Sequence, residues 1–172
     1  MYLILYFCRS GEVALCNLAQ NGTSHKEADF LAARNLIMLQ LLLDNGQRTG
    51  AIMNVTVGDY NNAMANNEGI VIQVPKHKTS SKFVCSLVVS AVLATKLASW
   101  FTARCSFFTQ RLGTAKDAPS DPLFCGCPGK SLPSNELARL CRIAFGGTVN
   151  QMRKAQYHLV SFFLHLASYH FD

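Results

Sequence analysis

The amino-acid sequence predicts a mainly helical α+β domain with a small antiparallel β-sheet. Apolar residues recur at helical spacing in residues 24–44 and again in residues 90–105. Between these stretches, residues 69–74 form a β-branched run, and a basic turn separates it from a second apolar run at residues 83–88. Together these observations favour a β-hairpin between two long helices.

The first 23 residues precede the first of these helices and are interpreted as a remnant or a linker. Residues 1–8 are apolar but lack the basic region and the small-residue cleavage site of a signal peptide. They are more typical of a strand, a tail that packs on the core, or a truncated start. The domain itself is expected to span residues 24–172 and to be incomplete at its C-terminus.

Local signals define the ends of the next elements. Ser24 and Glu27 have the spacing of a capping box at the start of the first helix. Asn45-Gly46 is a typical helix stop, because either residue suits the left-handed conformation that follows a helix. Residues 49–55 are expected to form a short helix or turn that packs Ile52, Met53 and Val55, and Thr56 can cap a second short helix that carries Asp59 and Tyr60.

The second half of the chain contains loops and two further helix starts. Gly, Pro, Ser and Asp are frequent in residues 113–122 and 126–134, which predicts loops. Ser134 begins a helix that ends at Gly146-Gly147, and Val149 begins another. Residues 83–101 contain a single charge, Lys96, which raises a membrane alternative. Their polar residues recur on one helical face, which favours a half-buried amphipathic helix instead.

The net charge of +6 is concentrated in the middle of the chain. Residues 46–116 carry eight basic and two acidic side chains. By contrast, residues 1–45 carry three basic and four acidic side chains, and residues 117–172 carry five basic and four acidic ones. Clustered positive charge favours a polyanionic partner, although a solvated basic face would have the same composition.

The seven cysteines are odd in number and lack the spacing of a disulfide framework, which favours a reducing, intracellular compartment. Cys125-Gly126-Cys127, with Cys141 and His158, offers four residues of types that bind zinc. However, the Cys-x-Cys pair has no second pair to match it, so we expect no metal and no cofactor.

Arg48 lies near glycines at the junction where one helix ends and the next begins. A surface arginine normally lies on a helix face, whereas an arginine beside a helix N-terminus can direct its planar, charged fork at a phosphate. This position therefore indicates a nucleic-acid phosphate as its binding partner.

The segment from Asn45 to Asp59 resembles the first arginine box of the tyrosine recombinase, or phage integrase, catalytic domain. The similarity rests on Asn45-Gly46-Gln47-Arg48 followed by Ile52, Met53, Val55 and Asp59. It continues in order, because Lys78-Thr79 stands on the predicted hairpin, where the family has its catalytic lysine. Arg153 then stands where the family has the arginine of its His-x-x-Arg box. The resemblance covers residues 25–158. Transposon-derived members of the Crypton type are the most similar in their overall residue pattern.

This resemblance implies a tyrosine-recombinase-like fold and a set of site residues. The family cleaves and rejoins DNA through a phosphotyrosine, and charge builds on the phosphate oxygens in the transition state. Arg48 and Arg153 would clamp the phosphate, and Lys78 would protonate the leaving oxygen as general acid, with Lys76 as the alternative. The implied DNA-binding set is Arg48, Lys76, His77, Lys78, Lys82, Arg153 and Lys154.

The chain also departs from the family pattern. Asn150 stands at the family's histidine, and an amide can hydrogen-bond a phosphate but cannot act as a general base. Ala51 stands where the family commonly has a carboxylate. The family's nucleophilic tyrosine lies about thirty residues beyond the second arginine, so Tyr157 is too close to Arg153 and Tyr169, beside His170, is the nearest candidate. The nucleophile is therefore unassigned.

From these residues we expect a DNA-binding domain that resembles a tyrosine recombinase and is catalytically inactive. Its expected partners are duplex DNA and, as in the family, a second copy of itself, with no membrane. Its expected location is intracellular, and nuclear if the source is eukaryotic. The alternative is a protein-interaction or structural domain that kept the fold and lost contact with DNA.

Overall fold

The computed structural model of the chain describes residues 2–20, 26–46, 49–75 and 84–151, with side chains from Arg9 onward. The described elements are α1 (Tyr2–Gln20), α2 (Glu27–Asn45), α3 (Thr49–Met53), α4 (Val57–Asn61), β1 (Met64–Asn66), β2 (Gly69–Val74), β3 (Cys85–Ser90), α5 (Ala91–Leu112) and α6 (Glu136–Phe145). The architecture is α+β, and about 59% of the described residues are helical, with one three-stranded antiparallel sheet among them. The predicted fold class is confirmed at this level.

Helix α2 lies at the centre because its apolar residues point in several directions rather than along one stripe. It packs against α1, α5, α6 and β3. Its Phe30 is fully buried and stacks on Phe107 of α5, with ring centroids 4.4 Å apart. Trp100 of α5 extends this aromatic cluster, since it stacks on both Phe30 and Phe124.

The N-terminal segment is a helix, so the strand alternative for residues 1–8 is wrong. Helix α1 packs on α2 through Ala14, Leu15 and Leu18, all of which are buried. Gly11 makes the close approach of the two helices possible, because a Cβ at this position would lie 2.6 Å from the Cβ of Leu36. The alternation of apolar residues that identifies a strand is absent from this segment.

The predicted capping box at the start of α2 is wrong. The helix begins at Glu27, and its N-cap is Lys26, which makes no side-chain cap hydrogen bond. Glu27 is thus the first helical residue rather than the third, and its carboxylate pairs with Arg111 of α5. Ser24 lies outside the described residues.

The sheet has the strand order β1-β2-β3, with Val71 paired to both Met64 and Val88. The predicted strand at residues 69–74 is confirmed, and the second strand is shifted slightly, to Cys85–Ser90. Strand β1 was not predicted, because its three residues are all exposed and show no alternation. Gly69 is required at the turn into β2, since its φ is 150° and a Cβ would meet the carbonyl oxygen of Val89.

Helix α5 follows β3 directly. The hydroxyl of Ser90 caps it by accepting from the backbone N–H of Leu93, and Gly113, with φ of 70°, ends it seven residues beyond the predicted end. The stretch that raised a membrane alternative is therefore divided between β3 and α5. No helix in the described part of the chain has the length and apolar character needed to cross a membrane.

Arg104 of α5 is fully buried, and its guanidinium holds the chain that follows the helix. Nε donates to the carbonyl of Leu123 at 3.1 Å, Nη1 to that of Lys116 at 2.6 Å, and Nη2 to that of Pro122 at 2.9 Å. Its carbon Cζ also lies 5.3 Å from the ring centre of Phe108. A segment predicted only as a loop is in this way fixed to the core.

We expect Arg104→Met to destabilise the protein by about 3 kcal/mol, because several partly buried carbonyl groups lose their donor together. Urea denaturation would measure the change. Arg111→Met on the same helix is the matched control, since that arginine pairs with Glu27 on the surface and should contribute about 1 kcal/mol or less. Equal losses in the two variants would contradict a structural role for the buried guanidinium.

Candidate nucleic-acid interface

The junction between α2 and α3 is the candidate arginine box. Gly46 ends α2 in the left-handed conformation, with φ of 56° and its N–H bonded to the carbonyl of Leu42, as the sequence predicts. Helix α3 begins at Thr49, and its Ala51, Ile52 and Met53 are buried. Gln47 and Arg48 lie outside the described residues. The elements that flank Arg48 are therefore defined, while the arginine itself is not.

Asn45 joins this junction to the sheet. Its Nδ2 donates to the carbonyl of Val88 at 2.9 Å, and its Oδ1 accepts from the N–H of Val88 at 2.7 Å. The side-chain amide thus takes the place of a neighbouring strand along the outer edge of β3. Nδ2 also donates to the carbonyl of Leu41 at 3.0 Å, which holds the side chain against its own helix.

The hydrogen bonds between Asn45 and Val88 also connect the α2–α3 junction to the hairpin formed by β2 and β3. Val74 and Cys85 are the last paired residues before the turn. Cys85 lies three residues from Val88, which is about 10 Å along a strand. Val88 is also two residues from Ser90, the other end of β3, so the end of α2 is attached to the middle of this strand. Four candidate residues of that turn lie outside the described residues: Lys76, His77, Lys78 and Lys82.

The turn after α3 carries a reciprocal cap, of which the sequence predicts the Thr56 half. The Thr56 hydroxyl accepts from the Asp59 N–H at 3.1 Å, and the Asp59 carboxylate accepts from the Thr56 N–H at 2.9 Å. The prediction that Thr56 caps a short helix is confirmed. Tyr60 packs its ring against Phe101, and burial raises the pKa of its hydroxyl, so this tyrosine is poorly suited to act as a nucleophile.

The segment at residues 118–123 pairs with this turn by backbone hydrogen bonds. Val57 donates to Asp121 at 2.9 Å, Gly58 to Pro119 at 3.0 Å, and Leu123 to the carbonyl of Val55 at 2.8 Å. Gly58 is needed for the approach, because a Cβ there would lie 2.9 Å from the carbonyl oxygen of Pro119. Loop composition alone does not reveal this pairing.

Between α3 and the loops lies an open cleft of about 390 Å³. Most of its lining side chains are small and carry a hydroxyl or an amide. They are Thr49, Asn54, Thr56, Ser120, Ser131 and Ser134, accompanied by Gly50, Met53, Pro122 and Leu132. The sequence patterns point to Met53 as a packing residue, to Thr56 as a cap and to Ser134 as a helix start, but they do not bring these residues together, so the cleft is a candidate site that the sequence does not reveal.

The last described residues begin a further helix. Thr148 and Gln151 form a reciprocal cap, in which the Thr148 N–H donates to Gln151 Oε1 at 2.7 Å and the Gln151 N–H donates to Thr148 Oγ1 at 3.3 Å. Asn150 lies exposed on this first turn. The remaining candidates of this region lie outside the described residues: Arg153, Lys154 and Tyr169.

The basic excess of residues 46–116 is partly internal to the fold. Four of its eight basic residues are described, and each contacts a group of the protein itself. Lys96 pairs with Glu12, Arg111 with Glu27, and Lys116 approaches Asp121 to 3.9 Å, while Arg104 is buried among carbonyls. The other four basic residues of this stretch are Arg48, Lys76, Lys78 and Lys82, which lie outside the described residues.

Cys125 and Cys127, on either side of Gly126, favour the protonated thiol. Burial raises the pKa of the Cys125 thiol and, together with a hydrogen bond to Glu27, raises the pKa of Cys127 to about 12. Cys141 is buried in α6. Within the described ranges, no three histidine, cysteine or acidic residues cluster as a metal site would require. His158 lies outside those ranges.

No family model, no curated protein and no solved structure matches this chain. The resemblance to tyrosine recombinases therefore rests on the residues of the chain itself.

We expect Asn45→Asp to destabilise the protein by about 2 kcal/mol, because the second carboxylate oxygen would face the carbonyls of Leu41 and Val88 without a proton to donate. The penalty should be largest near pH 7 and should shrink below about pH 4, where protonation restores the donor. Urea denaturation at both pH values tests this. Asn67→Asp, at an exposed turn position, is the control. A loss that is the same in both variants, or that is independent of pH, would contradict the assigned bonds.

Proposed function

We propose that this chain is a DNA-binding domain of the tyrosine-recombinase type that does not cleave DNA. The observation that supports it best is the bonding of Asn45 to Val88. It attaches the segment before Arg48 to the strand that leaves the basic turn. A site that contacts one phosphate from two parts of a chain needs such an attachment, because its groups must be held at fixed separation.

The order of the described elements agrees with the proposal. A buried helix ends before Arg48, a capped turn follows, and a three-stranded antiparallel sheet then brackets the basic turn. A long helix and a newly capped helix come next, and the last of these carries Asn150 on its first turn. Arg153 is three residues further along the sequence. The elements thus follow the order that the resemblance implies.

In this proposal Arg48 and Arg153 bind the phosphodiester through their planar forks, which match two phosphate oxygens at once. Lys78, or alternatively Lys76, adds a positive charge from the hairpin turn. His77, Lys82 and Lys154 make further contacts with the DNA backbone. Such contacts position a protein on DNA and do not by themselves read its sequence.

The absence of cleavage is inferred from Asn150. An amide donates and accepts hydrogen bonds but does not exchange a proton with a substrate at neutral pH, so it cannot replace a general base. Its exposed position leaves it free to donate to a phosphate oxygen. Binding is therefore retained in the proposal while proton transfer at this position is lost.

We expect the chain to bind duplex DNA with an affinity that falls steeply as salt rises. Arg48→Ala and Lys78→Ala should each weaken binding about tenfold and reduce the slope of log K against log salt by about 0.9, because each removes one phosphate contact. Fluorescence anisotropy with a labelled duplex, repeated between about 50 and 200 mM salt, measures both quantities.

Arg9→Ala is the matched control, since Arg9 is exposed on α1 and belongs to no candidate box. It should change the affinity by less than about twofold. Binding that is absent or independent of salt would contradict the proposal and favour the protein-interaction alternative. Equal effects of Arg9→Ala and Arg48→Ala on the affinity would also contradict the proposal.

We also expect no covalent protein–DNA adduct when the chain is incubated with a nicked suicide substrate. A mobility-shift measurement on the same mixture must show that the substrate is bound, so that a blank result reports on chemistry and not on affinity. An adduct formed by the wild-type chain would contradict the inferred inactivity. Its loss in Tyr169→Phe would then identify the nucleophile.

A further inference from the structure

The cleft between α3 and the two following loops has a polar lining that the proposed function does not use. We propose that it holds a DNA backbone phosphate next to the one assigned to Arg48, through neutral hydroxyl and amide donors. This inference rests on the proposed function and adds a second contact surface to it. The lining residue Thr49 directly follows Arg48 in the sequence and begins α3, so the cleft adjoins the arginine junction.

The lining chemistry favours phosphate over an apolar ligand. Side-chain hydroxyls and amides that donate to phosphate oxygens are common in protein–DNA interfaces. Small-molecule pockets, in contrast, are lined mainly by apolar and aromatic groups. Here six of the ten lining residues carry a hydroxyl or an amide, and none is aromatic.

The carboxylates near the cleft are already bonded within the protein. None of its ten lining residues is acidic. The Asp59 carboxylate accepts from the N–H of Thr56, itself a lining residue, at 2.9 Å. Asp121 and Glu136, which lie within two positions of lining residues in the sequence, are bonded as well. Asp121 accepts from the N–H of Ala118 at 3.1 Å, and Glu136 accepts two bonds from Arg139, both at 2.9 Å.

The walls of the cleft are fixed before any ligand binds. Thr56 and Pro122 form an isolated antiparallel β-bridge, and Cys125 and Ser131 form another. Arg104 holds the carbonyls on one side of this loop, and Arg34 donates to the carbonyl of Cys125 at 2.9 Å. Donors on such a scaffold need little reorganisation to meet a phosphate, which lowers the entropic cost of binding.

The test places a carboxylate in the cleft. Ser134→Glu should lower the affinity for a short duplex about tenfold at about 0.1 M salt, because a donor becomes a negative charge facing the phosphate. Ser134→Thr keeps the hydroxyl and should bind nearly as the wild type does. Ser99→Glu adds the same charge on the exposed face of α5, away from the lining residues, and should weaken binding no more than about threefold.

Misfolding does not account for the expected loss, because an added glutamate near the start of α6 is favourable to that helix. Equal effects of Ser134→Glu and Ser99→Glu, with wild-type binding intact, would overturn the cleft while leaving the proposed function in place. Absence of wild-type binding would overturn both. NMR titrations with inorganic phosphate and with the duplex distinguish a free phosphate from a DNA phosphate as the ligand. If the Thr49 and Ser131 amides respond to inorganic phosphate as strongly as to the duplex, the DNA assignment would be overturned.

Discussion

The buried guanidinium of Arg104 is the constraint on which the candidate interface depends. Its three nitrogen atoms donate to the carbonyls of Lys116, Pro122 and Leu123, so the chain after α5 turns back along the protein surface. That chain then pairs with the residues between α3 and α4. The position of α3, and with it the start of the cleft, follows from a residue more than fifty positions away in the sequence.

Arg34 has the corresponding role on the other side of the same loop. It is buried in α2 and donates to the carbonyl of Cys125, while its second nitrogen approaches Glu136 of α6 to 3.5 Å. Burial lowers its pKa, and the Glu136 carboxylate partly opposes that shift. The bond to Arg139 lowers the pKa of Glu136, which keeps this carboxylate charged at neutral pH. Two helices thus hold the same loop from its two sides through arginine side chains.

Local features of the fold could be predicted from the sequence, because the residues that decide them are neighbours. Gly46 ends α2, Thr56 caps α4, and the β-branched run at residues 69–74 is a strand. Long-range features could not be predicted in this way. The Asn45–Val88 bonds join residues 43 positions apart, and the close packing of Gly11 on Leu36 depends on a helix pair that no local pattern specifies.

The candidate site shows the same division. Sequence spacing singles out Arg48, Lys78 and Arg153 but does not reveal the cleft, since serines and threonines in loops look like ordinary turn residues. The net charge is also a poor measure of the charge on the surface, because it includes arginines that are buried in the fold. The planar fork that suits a guanidinium to phosphate equally suits it to converging carbonyls. Once Arg34 and Arg104 are assigned to the scaffold, the proposed contact with DNA has fewer cations to draw on than the composition implies, which is the reason for adding the neutral donors of the cleft to the proposal.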